Sequence, residues 1–362
     1  MSNASLNQYM SDYAVLPGEI LLETLAERGM TQAELAERTG RKKKTINEIV
    51  KGKAPITPET ALQLERVFGV PAGFWNNLEQ QYRADLARIA EQQRLAKQVE
   101  WLELFPVKEL VRNGWFDSSK DNVQLLQRVL NFFGVASPDR WHEVWEGEAV
   151  AYRKSPVFES NPHALAAWLR CGELTGFEIE CQPYDKSVFK KSLDVIRGLT
   201  KVEPVVFQPE LIRVCAAAGV AVAFTPELNK TRVSGATRWL TPTKALIQLS
   251  LRHKSNDHLW FTFFHEAAHI LLHGKKEVFV DDDQYAGDKE DEANKFAADF
   301  LIPPQFYKRF LRIHGPRISK KAICDLAQAI GIAPGIIVGR LQHDKILPPS
   351  HCNGLKVFYK WQ

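Results

Sequence analysis

The feature that most constrains the fold is a long, largely apolar helix that carries two histidines and a glutamate in its central part. Residues 257–273 are apolar almost all the way round, with capping residues at their start and Gly274 at their end. An H-E-x-x-H pattern occupies residues 265–269 within this segment. A helix that is apolar all round is buried, and burying two imidazoles and a carboxylate is costly unless partners satisfy them. The sequence therefore predicts a core helix with a bound metal ion.

The spacing of this pattern indicates how the ion would be held. Side chains four residues apart lie on one face of a helix, so His265 and His269 can present imidazole nitrogens to the same ion. Glu266 projects to the side, near enough to hold a water on the metal. A catalytic zinc takes a third protein ligand and keeps one position open for water. Zn²⁺ is therefore the predicted cofactor.

An acidic stretch further along the chain offers the third ligand. Residues 277–292 contain eight acidic residues against Lys289. A helix is predicted for residues 290–302, with a buried face at positions 293, 296, 297, 300 and 301. Glu292, at the helix start beside that face, is the predicted ligand. Asp288 and Glu290 are the alternatives, and Asp281, Asp282 and Asp283 are expected to be solvated loop charges.

The first 70 residues form a second pattern, a series of short helices with clear boundaries. Thr31 and Glu34 form a capping-box pattern that starts one of them. A helix-turn-helix needs a small residue where its helices cross, a glycine in the turn and apolar residues under the second helix. Those positions are occupied by Ala36, Gly40, Ile46 and Ile49. The pattern predicts a helix-turn-helix.

Charge marks the second of these helices as a nucleic-acid surface. Residues 41–53 carry six basic residues against one acidic residue. In such a unit, outward residues near the start of the second helix face the major groove, and flanking cations contact phosphates. The predicted base readers are Lys43, Lys44, Thr45, Asn47 and Glu48, and the predicted backbone contacts are Gln32, Arg41, Lys42 and Lys51. The alternative is a solvated basic turn in a helical bundle.

Length and composition set the domain organisation and exclude some classes. A chain of 362 residues exceeds what one core usually organises. We predict a helix-turn-helix domain over residues 1–73, a connecting helix over 74–105, a helical intermediate domain over 106–203 and a domain with a small sheet over 204–362. The fold class is mainly α with an α+β C-terminal part. The strands are expected at residues 220–224, 236–240 and 245–249.

The cysteines and the lengths of the apolar runs indicate the cellular compartment in which the protein is expected. The five cysteines are odd in number and contain no C-x-x-C pair, so neither a disulfide framework nor a thiolate zinc site is indicated. The N-terminus lacks a signal pattern, and no apolar run approaches the roughly 18 residues that a membrane span requires. A cytoplasmic protein without membrane association is expected. The net charge of +4 is too small to predict nucleic-acid binding by itself.

Residues 17–82 resemble the phage-repressor-like DNA-binding domain of HigA-type antitoxins. The resemblance rests on the segments at residues 17–19, 30–32, 51–61, 68–71 and 74–75, which read PGE, MTQ, KGKAPITPETA, FGVP and FW. It implies operator DNA as a partner and a homodimer as the binding form. Arg41 is a departure, because this pattern usually has an apolar residue there.

Residues 204–345 resemble the ImmA/IrrE family of metallo-endopeptidases. The matching segments are residues 234–238, 255–257, 260–269, 273–274, 292–297 and 331–343, and they include SGATR, HEAAH and EANKFA. The resemblance implies a zincin-like fold, zinc bound by His265, His269 and Glu292, and Glu266 as the base in amide hydrolysis. It also implies a regulatory protein as substrate, a repressor or a toxin-antitoxin component. Candidates for a second oxyanion donor are Arg238, His258, His273 and Tyr285, although His273 is better explained as a helix cap.

Three functions are compatible with these patterns. The first is a DNA-binding transcriptional regulator with a zinc endopeptidase domain. The second is a HigA-like repressor or antitoxin whose peptidase-like domain is a non-catalytic sensor or partner-binding module. The third is a protease that uses its helix-turn-helix to bind protein. The first is favoured over the second because all four residues of the metal site are present, and over the third because the basic residues lie on the groove-facing helix.

Overall fold

A computed structural model describes residues 13–146, 161–274, 279–281, 288–315 and 317–360. The chain forms two compact units. The N-terminal unit is Met1–Val99 with Asp121–Leu126, and the C-terminal unit is Glu100–Lys120 with Gln127–Gln362. The predicted fold class, mainly α with a small sheet in the C-terminal part, is confirmed. The four predicted segments, with boundaries at 73, 105 and 203, stay a prediction.

Between residues 13 and 99 the structure describes five α-helices of the N-terminal unit: α1 Pro17–Glu27, α2 Gln32–Thr39, α3 Lys43–Val50, α4 Pro58–Phe68 and α5 Ala72–Ala96. The predicted capping box is present, since the Thr31 side chain accepts from the Glu34 amide and the Glu34 carboxylate accepts from the Thr31 amide. The helix predicted over residues 74–105 ends at Ala96 and is followed by a 3-10 helix, Val99–Leu104. The core consists of side chains from all five helices, among them the fully buried Leu21, Leu35, Ile46, Leu64 and Trp75.

Two glycines set the geometry between the short helices. Gly40 ends α2 in the left-handed conformation, with φ of 69°, which lets the chain turn sharply into α3. Gly18 lies directly against the backbone carbonyl of Val50, so any larger residue there would collide with it. The turn at Gly40 and the close approach at Gly18 bring α1, α2 and α3 together, as the predicted helix-turn-helix requires.

The first part of the C-terminal unit is helical. Its elements are α6 Val107–Arg112, α7 Asn122–Phe133, α8 Pro138–Trp141 with a π turn at His142–Glu146, α9 Pro162–Glu178, α10 Lys186–Leu199 and α11 Pro204–Ala216. Helix α7 starts in the stretch that belongs to the N-terminal unit. The Phe105, Phe133 and Trp141 rings meet edge to face or tilted, with centroids 5.2 to 5.7 Å apart. These three rings therefore form a packed aromatic cluster in the helical part of the C-terminal unit.

The sheet lies in the second part of this unit. Its described strands are β1 Val220–Phe224, β2 Gly235–Thr241, β3 Lys244–Leu249 and β4 Phe279–Asp281, in the order β1-β3-β2-β4. Strands β1 and β3 are parallel, whereas β2 runs antiparallel to β3 and β4. Residues alternate between two apolar clusters, with Val222 and Ile247 on one face and Ala223 and Leu246 on the other. Both faces of β1 and β3 are therefore covered.

The remaining helices are α12 Asn256–Leu272, α13 Asp288–Leu301, α14 Pro304–His314, α15 Lys320–Ile330 and α16 Pro334–His343, followed by a 3-10 helix at Asn353–Leu355. Helix α12 is the predicted core helix. Its Trp260, Phe263 and Phe264 side chains are fully buried in the largest apolar cluster. Within the described ranges no single helix is long and apolar enough to cross a membrane, although the pair α15 and α16, bent by 115°, meets the length and composition criteria together.

Candidate metal centre and nucleic-acid interface

Helix α12 brings the H-E-x-x-H side chains into the protein interior. His265, Glu266 and His269 are exposed by 1%, 0% and 2%, respectively. The two imidazoles point to a common position, because their Nε2 atoms are 3.0 Å apart. A separation of four residues places them on one helix face, as predicted. The helix thus presents two imidazole nitrogens in the arrangement that a zinc site would need.

Glu290, in the first turn of α13, completes the cluster. Its Oε2 lies 3.1 Å from His265 Nε2 and 3.4 Å from His269 Nε2. One ligand atom from each of the three residues lies within 4.8 Å of the others, and all three residues are buried. Two imidazoles and one carboxylate form a donor set that catalytic zinc uses, so the residues fit the implied ion.

The protonation states of the cluster also suit a metal. Burial would raise the pKa of Glu290, but its close contacts with the His265 and His269 imidazoles outweigh burial and lower the pKa to about 2. Burial lowers the pKa of His269 from its ordinary value. At neutral pH Glu290 is therefore ionised and His269 is uncharged, which are the forms that bind a metal ion.

This geometry corrects the predicted third ligand, Glu292. The Glu292 side chain is 59% exposed, and its Oε2 lies 3.3 Å from His273 Nε2 instead of facing the cluster. The buried stripe of α13 is Glu290, Ala293, Ala297 and Leu301, with spacings of three and four residues. Glu292 adjoins Ala293 in sequence but lies off this stripe. Counting three residues back from Ala293 along the apolar stripe reaches Glu290, so this spacing could have identified Glu290 as the buried acid. The other alternative, Asp288, is exposed.

Each ligand histidine makes a second hydrogen bond through Nδ1. His265 Nδ1 lies 2.9 Å from Asn294 Oδ1, and His269 Nδ1 lies 2.8 Å from His273 Nδ1. Because the Asn294 oxygen can only accept, His265 carries its proton on Nδ1 and keeps the Nε2 lone pair for an ion. His273 is the C-cap residue of α12, and its amide donates to the His269 carbonyl. These contacts fix the orientation of both rings, with their Nε2 atoms towards Glu290.

Strand β2 holds the carboxylate of Glu266. A side chain at Gly235 would begin 2.8 Å from Glu266 Oε1, so the strand backbone lies directly against the carboxylate. The Thr237 hydroxyl donates to the Glu266 carbonyl at 3.1 Å. The position of Glu266 is therefore set by the sheet as well as by its own helix.

A cavity of about 730 Å³ adjoins the three-residue cluster. His265 and Glu290 form part of its wall. Its apolar lining includes Phe261, Leu301, Ile302 and Ile336, and its charged lining includes Lys295, Arg340 and Lys356. Lys356 Nζ lies 2.6 Å from Asp257 Oδ2 and Arg340 Nε lies 2.8 Å from Asp344 Oδ2, so two of these cations are paired. A cavity of this volume can accommodate a ligand larger than a single side chain.

The predicted DNA contacts lie on and around α3. Lys42, Lys43, Lys44 and Lys51 are exposed, whereas Gln32, Arg41, Thr45, Asn47 and Glu48 are half-buried. Arg41 occupies a position where HigA-type domains usually have an apolar residue. Its Nε donates to Gln63 Oε1 on α4 at 2.6 Å, so the side chain is bonded to the helical bundle. Lys44 Nζ lies 3.8 Å from the Glu48 carboxylate in an exposed pair, which contributes little to stability.

Comparisons with known proteins match the two regions that contain these residues. A helix-turn-helix family model matches residues 21–75, and an IrrE N-terminal-like domain model matches residues 215–342. The chain is 42% identical over 82 residues to virulence-associated protein I of Dichelobacter nodosus, covering 22% of this chain and 73% of that protein. It is 31% identical over 84 residues to an uncharacterized HTH-type transcriptional regulator of Escherichia coli K12, covering 23% and 89%.

The chain is a helix-turn-helix protein with an IrrE N-terminal-like domain. Solved structures similar to this helix-turn-helix protein include a HigA-family addiction module antidote protein from Coxiella burnetii, 32% identical over 23% of this chain and 92% of that one, with a TM-score of 0.22. A Pseudomonas aeruginosa protein in complex with its operator DNA is 35% identical over 22% and 85%, with a TM-score of 0.21.

The matched ranges contain the candidate residues of this helix-turn-helix protein. Residues 215–342 include His265, Glu266, His269 and Glu290, and residues 21–75 include all of α2 and α3. The IrrE N-terminal-like domain has a metallopeptidase-like fold.

The oxyanion-donor candidates within the described residues make contacts of their own. Arg238 lies on β2, 4.0 Å from the Glu173 carboxylate, and its guanidinium is over the Trp145 ring. His258 stacks on His253, with ring centroids 4.1 Å apart, and lines the cavity. Asp281 is the last residue of β4, whereas Asp282, Asp283 and Tyr285 lie outside the described residues.

Proposed function

We propose that this protein is a DNA-binding transcriptional regulator whose C-terminal domain is a zinc-dependent endopeptidase. One observation carries the catalytic part: the Nε2 atoms of His265 and His269 and a carboxylate oxygen of Glu290 converge in a buried cluster beside a cavity. Glu266 is adjacent in sequence to the first ligand and is fully buried. Two imidazoles, one carboxylate and a further glutamate are the groups that metal-assisted amide hydrolysis requires.

Each residue of the cluster has a distinct role in the proposed reaction. His265, His269 and Glu290 would hold the ion, which supplies a Lewis acid and makes a water molecule more acidic. Glu266 accepts the proton of the attacking water and delivers it to the leaving amine. Gly235 keeps the Glu266 carboxylate in place, because the β2 backbone lies against it. The apolar part of the cavity would exclude water around the scissile peptide bond.

The DNA-binding part of the proposal rests on α3. Its exposed Lys43 and Lys44 and its half-buried Thr45, Asn47 and Glu48 form the proposed base-reading surface. Lys42 and Lys51 flank this surface and would contact phosphates, as would Gln32 and Arg41. Operator DNA is the proposed ligand, and a homodimer is the proposed binding form, by resemblance to HigA-type antitoxins.

The proposed protein substrate is a regulatory protein, either a repressor or a component of a toxin-antitoxin pair. A peptidase that is joined to a DNA-binding domain is concentrated near other proteins on the same DNA, so modest affinity for such a substrate suffices. The cavity could seat a bulky apolar residue next to the cleaved bond, because Phe261, Ile302 and Ile336 line it.

Metal analysis combined with a cleavage assay tests the catalytic proposal. One zinc per chain is expected in the purified protein, and His265→Ala, His269→Ala and Glu290→Ala should each lose most of it. Cleavage should be tested against proteins encoded next to this one, before and after removal of zinc with a chelator. Bound zinc without cleavage of any such protein would favour the second function, a sensor or partner-binding module. Zinc retained in full by Glu290→Ala would remove that residue from the ligand set.

A further inference from the structure

Two residues outside the ligand cluster, His273 and Glu292, form a hydrogen-bonded chain that ends on the ligand His269. His269 Nδ1 lies 2.8 Å from His273 Nδ1. On the other side of the same ring, His273 Nε2 lies 3.3 Å from Glu292 Oε2. The His273 side chain is only 3% exposed, whereas Glu292 is 59% exposed. A buried imidazole therefore connects a surface carboxylate to a ligand histidine.

The chemistry of this chain determines where the protons lie. An ionised carboxylate can only accept, so Glu292 draws the His273 proton to Nε2 and leaves Nδ1 of the neutral ring as an acceptor. His269 must then donate through its own Nδ1 to His273. Its Nε2 keeps a lone pair, and this is the atom that faces His265 and Glu290. The opposite tautomer of His269 would point a proton into the cluster and block the ion.

We propose that Glu292 and His273 are positioning residues that fix the tautomer and orientation of His269 for zinc. This inference rests on the proposed zinc site. Carboxylate and carbonyl groups commonly accept the second N–H of ligand histidines, and they raise the basicity of the ring. The two histidines differ in their second hydrogen bonds. His265 donates directly to Asn294, whereas His269 is connected to Glu292 through the His273 imidazole.

A purely structural role for the pair makes different predictions. His273 is the C-cap of α12 and Glu292 lies in α13, so their contact also links the two helices that carry the ligands. If linking the helices were the only role, replacing Glu292 would lower the stability of the metal-free protein. If Glu292 positions His269, zinc affinity should fall while the metal-free protein keeps its unfolding midpoint. The exposure of Glu292 makes disruption of the fold by Glu292→Gln or Glu292→Ala unexpected.

The test measures zinc affinity of the full chain by competition with a chromophoric chelator, together with thermal unfolding of the metal-free protein. Glu292→Ala and His273→Phe should each weaken zinc binding by roughly 10- to 100-fold. Glu292→Gln should lie between Glu292→Ala and the wild type, because an amide oxygen accepts the same hydrogen bond without the charge. Asp291→Asn removes a charge one residue away, and its effect should stay below about threefold because exposed charges are screened.

A double variant tests whether Glu292 acts through His273. In a His273→Phe background, Glu292→Ala should weaken zinc affinity little further, because the connection to His269 is already broken. The Co²⁺-loaded Glu292→Ala protein should show altered visible absorption, since a ligand has changed orientation. The inference is overturned if Glu292→Ala binds zinc like Asp291→Asn, or if its full effect persists in the His273→Phe background. A wild-type protein that binds no zinc would instead overturn the proposed metal site, and this inference with it.

Discussion

The proposed DNA-binding surface and the proposed metal cluster differ in where they keep their polar and charged side chains: the first in solvent, the second in the protein interior. The predicted readers lie on one short helix, α3, with Lys43 and Lys44 in solvent. The metal cluster draws on α12, β2 and α13, and its histidines and Glu290 are all buried. An exposed charge costs little to keep, whereas a buried one needs partners or an ion. The first surface can therefore change without affecting the fold, but the second is part of the core.

Electrostatics show the same contrast within single contacts. The exposed pair of Lys44 and Glu48 is 3.8 Å apart on adjacent turns of one helix. The buried Glu290 lies 3.1 Å from a histidine 25 positions earlier in the chain, and this contact helps to lower its pKa. Contacts between residues so far apart in the chain arise only when two helices pack. The metal cluster therefore depends on tertiary structure, whereas the contact between Lys44 and Glu48 forms within a single helix.

The largest expected effect separates catalysis from the other functions. Glu266→Gln should reduce hydrolysis by about 10²- to 10⁴-fold, since the neutral amide cannot accept the proton of water. Zinc content and operator affinity should match those of the wild type, because Glu266 belongs to neither set of contacts. Steady-state cleavage, metal analysis and a DNA-binding titration on the same sample check this. Cleavage by Glu266→Gln at the wild-type rate would exclude Glu266 as the base. Glu178→Gln, at an exposed position, is the control.

The second effect tests whether the two units are independent in stability. Ile46 is fully buried on the inner face of α3, so Ile46→Ala should destabilise the N-terminal unit by about 2–5 kcal/mol. Lys43→Ala, on the exposed face of the same helix, should change stability by less than about 0.5 kcal/mol. Denaturant unfolding followed by fluorescence measures both. Loss of zinc from Ile46→Ala under native conditions would contradict the expectation that the two units are independent in stability.

The third effect concerns base reading against phosphate contact. Asn47→Ala should cost about 1–3 kcal/mol of discrimination between operator and unrelated DNA, because it removes a proposed base-reading side chain. Lys51→Ala should weaken binding to all sequences alike and reduce the salt slope by about one unit. Titrations at several salt concentrations on both DNAs distinguish the two. Equal losses on operator and unrelated DNA for Asn47→Ala would assign it to the backbone contacts.

The smallest effect uses thiols that occur only in the C-terminal unit. Burial raises the pKa of the Cys171 and Cys215 thiols, so at pH 8 their thiolate fraction, and hence their alkylation rate, lies below that of an ordinary cysteine. Cys324 is exposed and should react first. Mass spectrometry of the briefly alkylated protein checks the order. Labelling of Cys324 should leave zinc content and DNA binding unchanged, and rapid native labelling of Cys215 would contradict the packed core.

Local sequence signals predicted the elements well where short-range chemistry decides them. Strands β1, β2 and β3 begin and end within one residue of the bounds predicted from composition and flanking turn residues. The predicted capping box at Thr31 is present because both of its hydrogen bonds lie within four residues. The predicted helix over residues 74–105 instead stops at Ala96, and the sequence there carries no proline or glycine to mark the end.

The sequence by itself determined that His265 and His269 share one helix face, because four residues make about one helical turn. It also determined that this helix is buried, since apolar side chains surround the histidines. Only the tertiary structure decided which acid meets them. Glu290 and Glu292 are two positions apart on one helix and point in different directions, so the packing of α13 on α12 brings one to the cluster and turns the other to His273. That packing depends on contacts between residues far apart in the chain, which no local pattern contains.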